Sequence, residues 1–200
     1  MNFSSSFNKL LRNLALSKEP TMIFQLLILI YSILDTNGVR TSPKDNLIDW
    51  ATSRRLSWED FKAQPDGSSV NAALTSTNIN IDYSFNNRDF KYKIRCQFDP
   101  GKSWGRIKND YILSHEQAHF DIAEIHARLL HKALKNYKFN PKTANQDIGE
   151  IYQKYMNEHR EMQEKYDDET NYSRNEDQQT AWQKKIASSL KELESFAQYK

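Results

Sequence analysis

Alternation of hydrophobic and polar residues predicts two neighbouring β-strands in the first half of the chain. Apolar and polar positions alternate with a period of two over residues 72–85 and again over 90–98, as in strands with one buried face. Asn86 and Asn87, which are typical turn residues, lie between the two runs. The pattern therefore predicts a β-hairpin or an adjacent pair of antiparallel strands.

From about residue 108 the hydrophobic spacing changes to that of helices. Apolar residues recur at intervals of three and four over 108–134, over 146–169 and again over about 182–197, which predicts three amphipathic helices. Strands followed by helices favour a single α+β domain. We expect a small antiparallel sheet, then a central helix, then two further helices packed with it.

The first predicted helix contains the sequence HEQAH within its buried face. Apolar residues define that face: Ile112, Leu113, Phe120, Ala123, Ala127, Leu130 and Leu134. On a helical projection His115, Glu116 and His119 fall within the same face, whereas Asp121 is expected to point the other way. Two imidazoles and a carboxylate are costly to bury unless a partner satisfies them.

The HEQAH sequence matches the H-E-x-x-H pattern of zinc-binding helices. Residues four apart are offset by roughly 40° around the helix axis, so His115 and His119 can converge on one ion. Glu116 lies beside them and can take a proton from water that the metal activates. The sequence therefore predicts Zn²⁺ as the cofactor. The alternative is a pair of core histidines bonded to backbone or to a tyrosine.

A catalytic zinc usually takes three protein ligands, and the first helix does not supply the third. His126 returns to the correct face, but it lies roughly 10 Å along the axis from His119 and is expected to be a core or cleft-wall residue. On the second helix, Asp167 and Glu169 lie at the two edges of the buried face, and His159 lies within it. The pattern leaves these three candidates open.

Four stretches resemble the DUF922 family of predicted secreted zinc-dependent proteases. They are LSWEDFK (56–62), AALTST (72–77), SW (103–104) with LSHEQAHFDIAEIHAR (113–128), and YDDETNYS (166–173). The resemblance implies a zincin-like metallopeptidase domain over residues 47–200, in which zinc-activated water hydrolyses peptide bonds. It also implies that Asp167 is the third zinc ligand.

The chain departs from the family pattern at position 172, where the family typically has histidine and this chain has Tyr172. If that position is a metal ligand, the metal site is lost or changed. If it donates a hydrogen bond to the oxyanion that forms during catalysis, a tyrosine hydroxyl can replace the imidazole. A third interpretation is a packing aromatic at a helix end. The alternatives to an enzyme are a non-catalytic zinc-binding protein and a structural envelope protein of the same fold.

The N-terminal part of the chain predicts export. Residues 22–34, MIFQLLILIYSIL, form an apolar run preceded by Lys9, Arg12 and Lys18. This run is shorter than the roughly 20 residues that span a bilayer and suits a signal peptide over residues 1–38, with Met22 as an alternative start. A buried helix and an uncleaved membrane anchor are the other interpretations. We expect a secreted or periplasmic protein whose membrane contact is limited to this leader.

Composition and charge limit the kinds of binding partner that the sequence predicts. The chain is 38% hydrophobic and 12% aromatic, as expected of a globular domain. Its net charge is +2 with acidic and basic residues interspersed, so no basic surface for nucleic acid is predicted. The single cysteine, Cys96, forms no internal disulfide and is expected to be a small buried residue. We expect a monomer whose partner is a peptide or protein substrate.

A few further residues have expected positions. Three aromatic residues are expected to anchor the core, although they could instead line a substrate groove: Trp58, Phe61 and Trp104. Glu124 and Arg128 are expected to form an i,i+4 pair on the exposed side of the first helix. His131 is expected to face solvent.

Overall fold

The structure is a computed structural model that describes residues 46–199. The predicted leader over residues 1–38 therefore lies outside the described residues. Within 46–199, no helix combines the length and apolar composition needed to cross a membrane.

Short strands and two long ones precede three helices, which confirms the predicted α+β class. The elements in chain order are β1 (Ile48–Asp49), a 3₁₀ turn (Trp58–Asp60), β2 (Ala73–Leu74), β3 (Thr77–Phe85), β4 (Phe90–Phe98), β5 (Trp104–Gly105), α1 (Asp110–Asn136), α2 (Ala144–Thr170), α3 (Glu176–Glu192) and a second 3₁₀ turn (Glu194–Phe196). The strands and the first two helices lie close to their predicted positions. The third predicted helix ends at Glu192, and a 3₁₀ turn follows it.

The main sheet has three antiparallel strands in the order β1-β4-β3. The predicted hairpin is present, with Ile81 opposite Ile94 in its register. The first of its strands, however, begins at Thr77 rather than at residue 72. Ser76 accepts a hydrogen bond from the Asp99 backbone, and its own N–H donates to the Ser103 hydroxyl, 2.9 Å away. Before Ser76, Ala73 and Leu74 form the separate strand β2, which pairs with β5 instead of with the main sheet.

Helix α1 is the central element of the fold. It begins at an Asn109 cap, whose side chain accepts a hydrogen bond from the Ile112 backbone at 2.8 Å. One face packs on the sheet through Phe120 and neighbouring residues, and another packs on α2 and α3, where Ile122 contacts Tyr166 and Trp182. Of its 27 residues, 16 are buried, so the middle of this helix has no solvent face.

Asp121, predicted to point away from the face of α1 that carries the two histidines, lies on a side of the helix that is also buried. Asp121 is buried, and its carboxylate accepts hydrogen bonds from Trp50 Nε1 at 2.8 Å and from Arg55 Nη1 at 3.0 Å. The segment that contains Trp50 and Arg55 therefore packs on the side of α1 that the helical projection assigns to solvent. Periodicity along one helix does not reveal a segment that covers its polar face.

The Glu124–Arg128 pair forms as predicted, but it is buried rather than exposed. Arg128 Nε donates to Glu124 at 2.8 Å, and the two side chains are only 5% and 2% exposed. Arg128 also donates to the Leu190 carbonyl at 2.7 Å, and the Tyr199 hydroxyl donates to Glu124. Residues from the C-terminal end of the described chain thus cover this part of α1.

The remaining predicted positions are mostly confirmed. Cys96 is fully buried, and His126 is also buried, with its Nδ1 2.9 Å from the Ile122 carbonyl oxygen. Phe61 and Trp104 are buried anchors. His131 is half-buried rather than solvent-facing, and its Nδ1 lies 3.1 Å from the Tyr92 hydroxyl.

Candidate metal centre

Helices α1 and α2 bring three potential ligand atoms into a small triangle. His115 Nε2 and His119 Nε2 on α1 lie 3.2 Å apart. Asp167 Oδ1 on α2 lies 3.1 Å from each of them. The three side chains are the group of histidine and acidic residues in the described chain that is close enough to hold one ion.

The dimensions of this triangle fit a zinc ion. Ligand atoms about 2.0–2.1 Å from a tetrahedral zinc are about 3.3 Å from one another. The observed separations of 3.1–3.2 Å are close to that value. Two imidazole nitrogens and one carboxylate oxygen are also a ligand set that zinc accepts.

Glutamine side chains orient both imidazoles. His115 Nδ1 lies 3.1 Å from Gln179 Oε1, and His119 Nδ1 lies 2.6 Å from Gln163 Oε1. A carbonyl oxygen only accepts hydrogen bonds, so each Nδ1 is the donor. In the neutral imidazole the other nitrogen, Nε2, then has a free lone pair directed into the triangle.

The orientation of each glutamine amide is itself fixed by its NH₂ group. Gln163 Nε2 donates to the His119 carbonyl at 2.9 Å, and Gln179 Nε2 donates to the Tyr111 carbonyl at 3.2 Å and to the Ser114 hydroxyl at 3.1 Å. With these donors assigned, both Oε1 atoms face the histidines.

Without a cation, the three lone pairs face one another at close range, and a proton must separate them. Burial would lower the pKa of His119, but the hydrogen bond and charge of Asp167 raise it to about 9. Burial opposes ionisation of Asp167, yet its hydrogen bonds to His115 and His119 hold the pKa of that carboxyl well below its usual range. The triangle therefore favours a bound positive charge, which a proton on His119 supplies at neutral pH and which a metal ion could supply in its place.

Tyr166 packs the two imidazoles into position. Its ring stacks on His115 with 4.5 Å between centroids and an interplanar angle of 22°, and it meets His119 edge-on at 5.0 Å. Tyr166 is fully buried against Trp182 of α3. Because Tyr166 precedes Asp167 on α2, one turn of helix both orients the histidines and contributes the third atom.

Glu116 lies beside the triangle without belonging to it. It is 3% exposed, and its Oε2 has no hydrogen-bond partner among the described residues. Burial raises the pKa of this carboxyl, and the charges of His119 and His115 only partly offset that effect. The Thr75 hydroxyl also acts to lower the pKa of Glu116, although its oxygen has no well-aligned hydrogen-bond partner in the described part of the chain. A buried carboxylate with a free oxygen and a raised pKa is suited to accept and release a proton.

An open cleft of about 390 Å³ contains the triangle and Glu116. Residues 71–77 form one wall, and α2 together with Tyr172 and Ser173 forms the other. Asn171, Tyr172 and Ser173 have positive φ angles of 49°, 51° and 67°. Such a run costs backbone energy in residues other than glycine, and strain of this kind is concentrated at functional sites.

Residues 29–188, about four fifths of the chain, match the family described as "Bacterial protein of unknown function (DUF922)". The chain belongs to the DUF922 family. No curated protein and no solved structure matches it. The family description names neither zinc dependence nor peptidase activity.

The cleft of this DUF922 protein is lined by six of the candidate site residues that the sequence singles out: His115, Glu116, His119, His159, Asp167 and Tyr172. His115, His119 and Asp167 form the triangle, and Glu116 lies next to them. Tyr172 lines the cleft and is 41% exposed.

The two other candidates for the third ligand are not part of the triangle. Glu169 accepts a hydrogen bond from Trp182 Nε1 at 2.7 Å and is not part of the triangle. His159 lines the cleft, but its Nε2 lies 2.9 Å from Gln163 Nε2 and accepts that donor. Its pKa is lowered to about 4, chiefly by burial, so it is neutral at physiological pH.

Sequence reasoning missed both glutamines and the role of Tyr166. A signal for Gln163 exists, because His159, Gln163 and Asp167 are spaced four apart and form a polar stripe on α2. No comparable signal exists for Gln179, because its contact with His115 depends on how α3 packs on α1.

Proposed function

We propose that this protein is a zinc-dependent peptidase that hydrolyses peptide bonds with Glu116 as the proton-transferring group. The observation that carries the proposal is the buried Glu116 carboxylate, whose Oε2 lacks a well-aligned hydrogen-bond partner among the described residues, beside three converging lone pairs in an open cleft. A purely structural histidine pair does not require an unpartnered carboxylate next to it, since such a group is costly to bury.

In this proposal His115, His119 and Asp167 hold the ion, and the chain's own residues move the protons. A zinc ion there would supply Lewis acidity, which acidifies water and polarises a peptide carbonyl. Glu116 takes the proton of the attacking water at Oε2 and delivers it to the nitrogen of the departing amine. Tyr172, in the cleft wall, donates a hydrogen bond to the oxygen on which negative charge develops.

A second candidate function is zinc binding without turnover. It is favoured by Tyr172, which stands where the family resemblance leads us to expect histidine and which is partly exposed. A structural envelope protein with core histidines is the third candidate.

We further propose that the protein is exported to the cell envelope or secreted and acts as a monomer on peptide or protein substrates. The apolar run at 22–34 supports export. Interspersed charges argue against a nucleic-acid partner, and the leader is the proposed membrane contact.

Metal analysis combined with a cleavage assay distinguishes the three candidates. Protein purified without a histidine tag is expected to contain about one zinc per chain and to cleave an unstructured protein such as casein. Chelation should abolish cleavage, and added zinc should restore it. Stoichiometric zinc with no turnover on any peptide library would favour the binding protein, and absence of zinc would favour the structural one.

Replacing Gln163 by Leu should weaken zinc binding about 10- to 100-fold, as loss of a group that orients a ligand generally does. Leucine accepts no hydrogen bond, so His119 loses the partner that keeps its proton on Nδ1. Competition with a chelator of known affinity measures the change.

Gln153→Leu is the matched control for this variant. Gln153 is also on α2 and donates to Asn157 at 2.9 Å, but it is exposed. Its replacement should leave zinc affinity unchanged. Equal affinity in the two variants would show that Gln163 does not orient His119 towards a metal.

A further inference from the structure

Several of the exposed apolar side chains line the cleft or belong to segments that adjoin its lining residues. The large hydrophobic residues that are exposed in the described chain are Val70, Leu74, Tyr83, Ile107 and Tyr172. Leu74 and Tyr172 line the cleft from opposite walls. Val70 directly precedes the lining residue Asn71, and the Ile107 backbone donates to the carbonyl of Ala72, also a lining residue, at 3.0 Å.

The loop that carries Val70 is held in place by two arginines. Arg106 donates to the carbonyl oxygens of Asp66, Ser69 and Asn71 at 2.5, 2.6 and 3.2 Å. Arg174, which follows the lining residue Ser173, donates to the Val70 carbonyl at 3.5 Å. The backbone is thus fixed while the Val70 side chain remains 81% exposed.

The apolar side chains at the rim of the cleft contrast with the polar side chains at its floor. The floor is polar, with His115, Glu116 and His119, whereas its rim presents aliphatic and aromatic side chains. Exposed apolar groups concentrated at one concave site mark a binding surface more often than apolar residues scattered singly. Since Leu74 and Tyr172 line a concave cleft rather than a flat face, a narrow extended ligand fits them better than a membrane surface does.

We propose that Val70 and Leu74, together called the apolar rim, bind a bulky apolar side chain of a peptide next to the bond that is hydrolysed. The idea of a hydrolysed bond rests on the proposed function, whereas recognition of the side chain does not. Bulky apolar side chains are mostly buried in folded proteins. The apolar rim therefore selects unfolded or unstructured polypeptide segments rich in such residues.

Peptide binding to the zinc-loaded Glu116→Gln protein tests this proposal without any need for turnover. Fluorescein-labelled peptides of equal length would differ only at one central position, occupied by Leu, Phe, Ser or Asp. Fluorescence anisotropy should show that the Leu and Phe peptides bind about fivefold or more tightly than the Ser peptide, given the stabilisation expected from partial burial of an aliphatic side chain.

Polar near-isosteres at the rim provide the decisive comparison. In the same Glu116→Gln background, Val70→Thr combined with Leu74→Asn should reduce the preference for Leu over Ser to less than about twofold. Tyr83→Asn is the control, because Tyr83, at 40%, is about as exposed as Leu74, at 38%, but lies on the hairpin and does not line the cleft. The Tyr83→Asn protein should keep the full preference for Leu over Ser. Thermal melting should show that this control and the rim variant both remain folded.

Several results would overturn the proposal. Undetectable or equal binding of all four peptides would overturn it. So would an unchanged preference for the Leu peptide over the Ser peptide in the protein with Val70→Thr and Leu74→Asn. Rim-dependent self-association in sedimentation, or rim-dependent binding to phosphatidylglycerol vesicles without a peptide preference, would assign the rim to another occupant. Failure of the unmodified protein to cleave casein would count against the peptidase alone, since the binding preference is measured independently.

Discussion

Glu116→Gln is expected to lower peptide cleavage by about 10²- to 10⁴-fold, the usual contribution of a general base, while about one zinc per chain remains bound. Glutamine has nearly the same shape as glutamate but does not accept the proton of the attacking water. Glu116 lies outside the triangle of His115, His119 and Asp167, so its neutralisation should not remove a ligand. Initial cleavage rates and metal content, measured on the same preparation, test both parts.

The same substitution should leave the fold at least as stable as before. An ionised carboxylate with an unpartnered oxygen is costly to bury, and burial already raises the pKa of Glu116. A neutral amide removes that cost. We therefore expect an unchanged or higher melting temperature together with the loss of activity, as is common where a site is maintained for function.

Glu161→Gln is the control for this experiment. It makes the same chemical change at an exposed position on α2 and should alter neither rate nor metal content. Cleavage by the Glu116 variant at the rate of the unmodified protein would rule out the proposed mechanism. Loss of zinc from it would instead show that Glu116 takes part in metal binding.

The fold and the centre of the site were largely predictable because they depend on local spacing. The period-two pattern locates the hairpin, and the three-and-four spacing locates α1 and α2. The four-residue separation of His115 and His119 already places both rings on one helical face, whatever the helix packs against. These features need no knowledge of the tertiary structure.

The third member of the triangle was harder to predict, because it depends on how two helices meet. On the projection of α2 alone, Asp167 and Glu169 are equivalent edge positions. The packing of Tyr166 between the two histidines and Trp182 decides between them. It turns the Asp167 edge towards α1 and leaves Glu169 to pair with Trp182.

Burial of the polar residues on the far side of α1 was not predictable from periodicity at all. Asp121, Glu124 and Arg128 occupy positions that solvent would normally reach, but chain segments distant in sequence cover them. Their partners Trp50, Leu190 and Tyr199 lie 71, 62 and 75 residues away along the chain. A central helix surrounded on all sides has no polar face to mark its orientation.

Arg128→Met is expected to lower the free energy of unfolding by about 3–5 kcal/mol, the usual cost of removing one member of a buried ion pair. The substitution keeps most of the aliphatic bulk but leaves the Glu124 carboxylate, 2% exposed, without its cation. It also removes the donor to the Leu190 carbonyl and the cation over the Trp50 ring, 5.1 Å from its centroid. Urea denaturation of the metal-free protein measures the loss.

Lys154→Met is the matched control, because Lys154 and Glu158 have the same i,i+4 spacing on α2 but are 63% and 42% exposed and 3.9 Å apart. Lys154→Met should lower the free energy of unfolding by less than about 0.5 kcal/mol. Adding Glu124→Gln to Arg128→Met should restore part of the lost stability, since a neutral amide is less costly to bury than a carboxylate that has lost its cation. If Arg128→Met and Lys154→Met lower the free energy of unfolding by equally small amounts, the buried ion pair does not stabilise the position of α1. Packing alone must then hold the two histidines in the cleft.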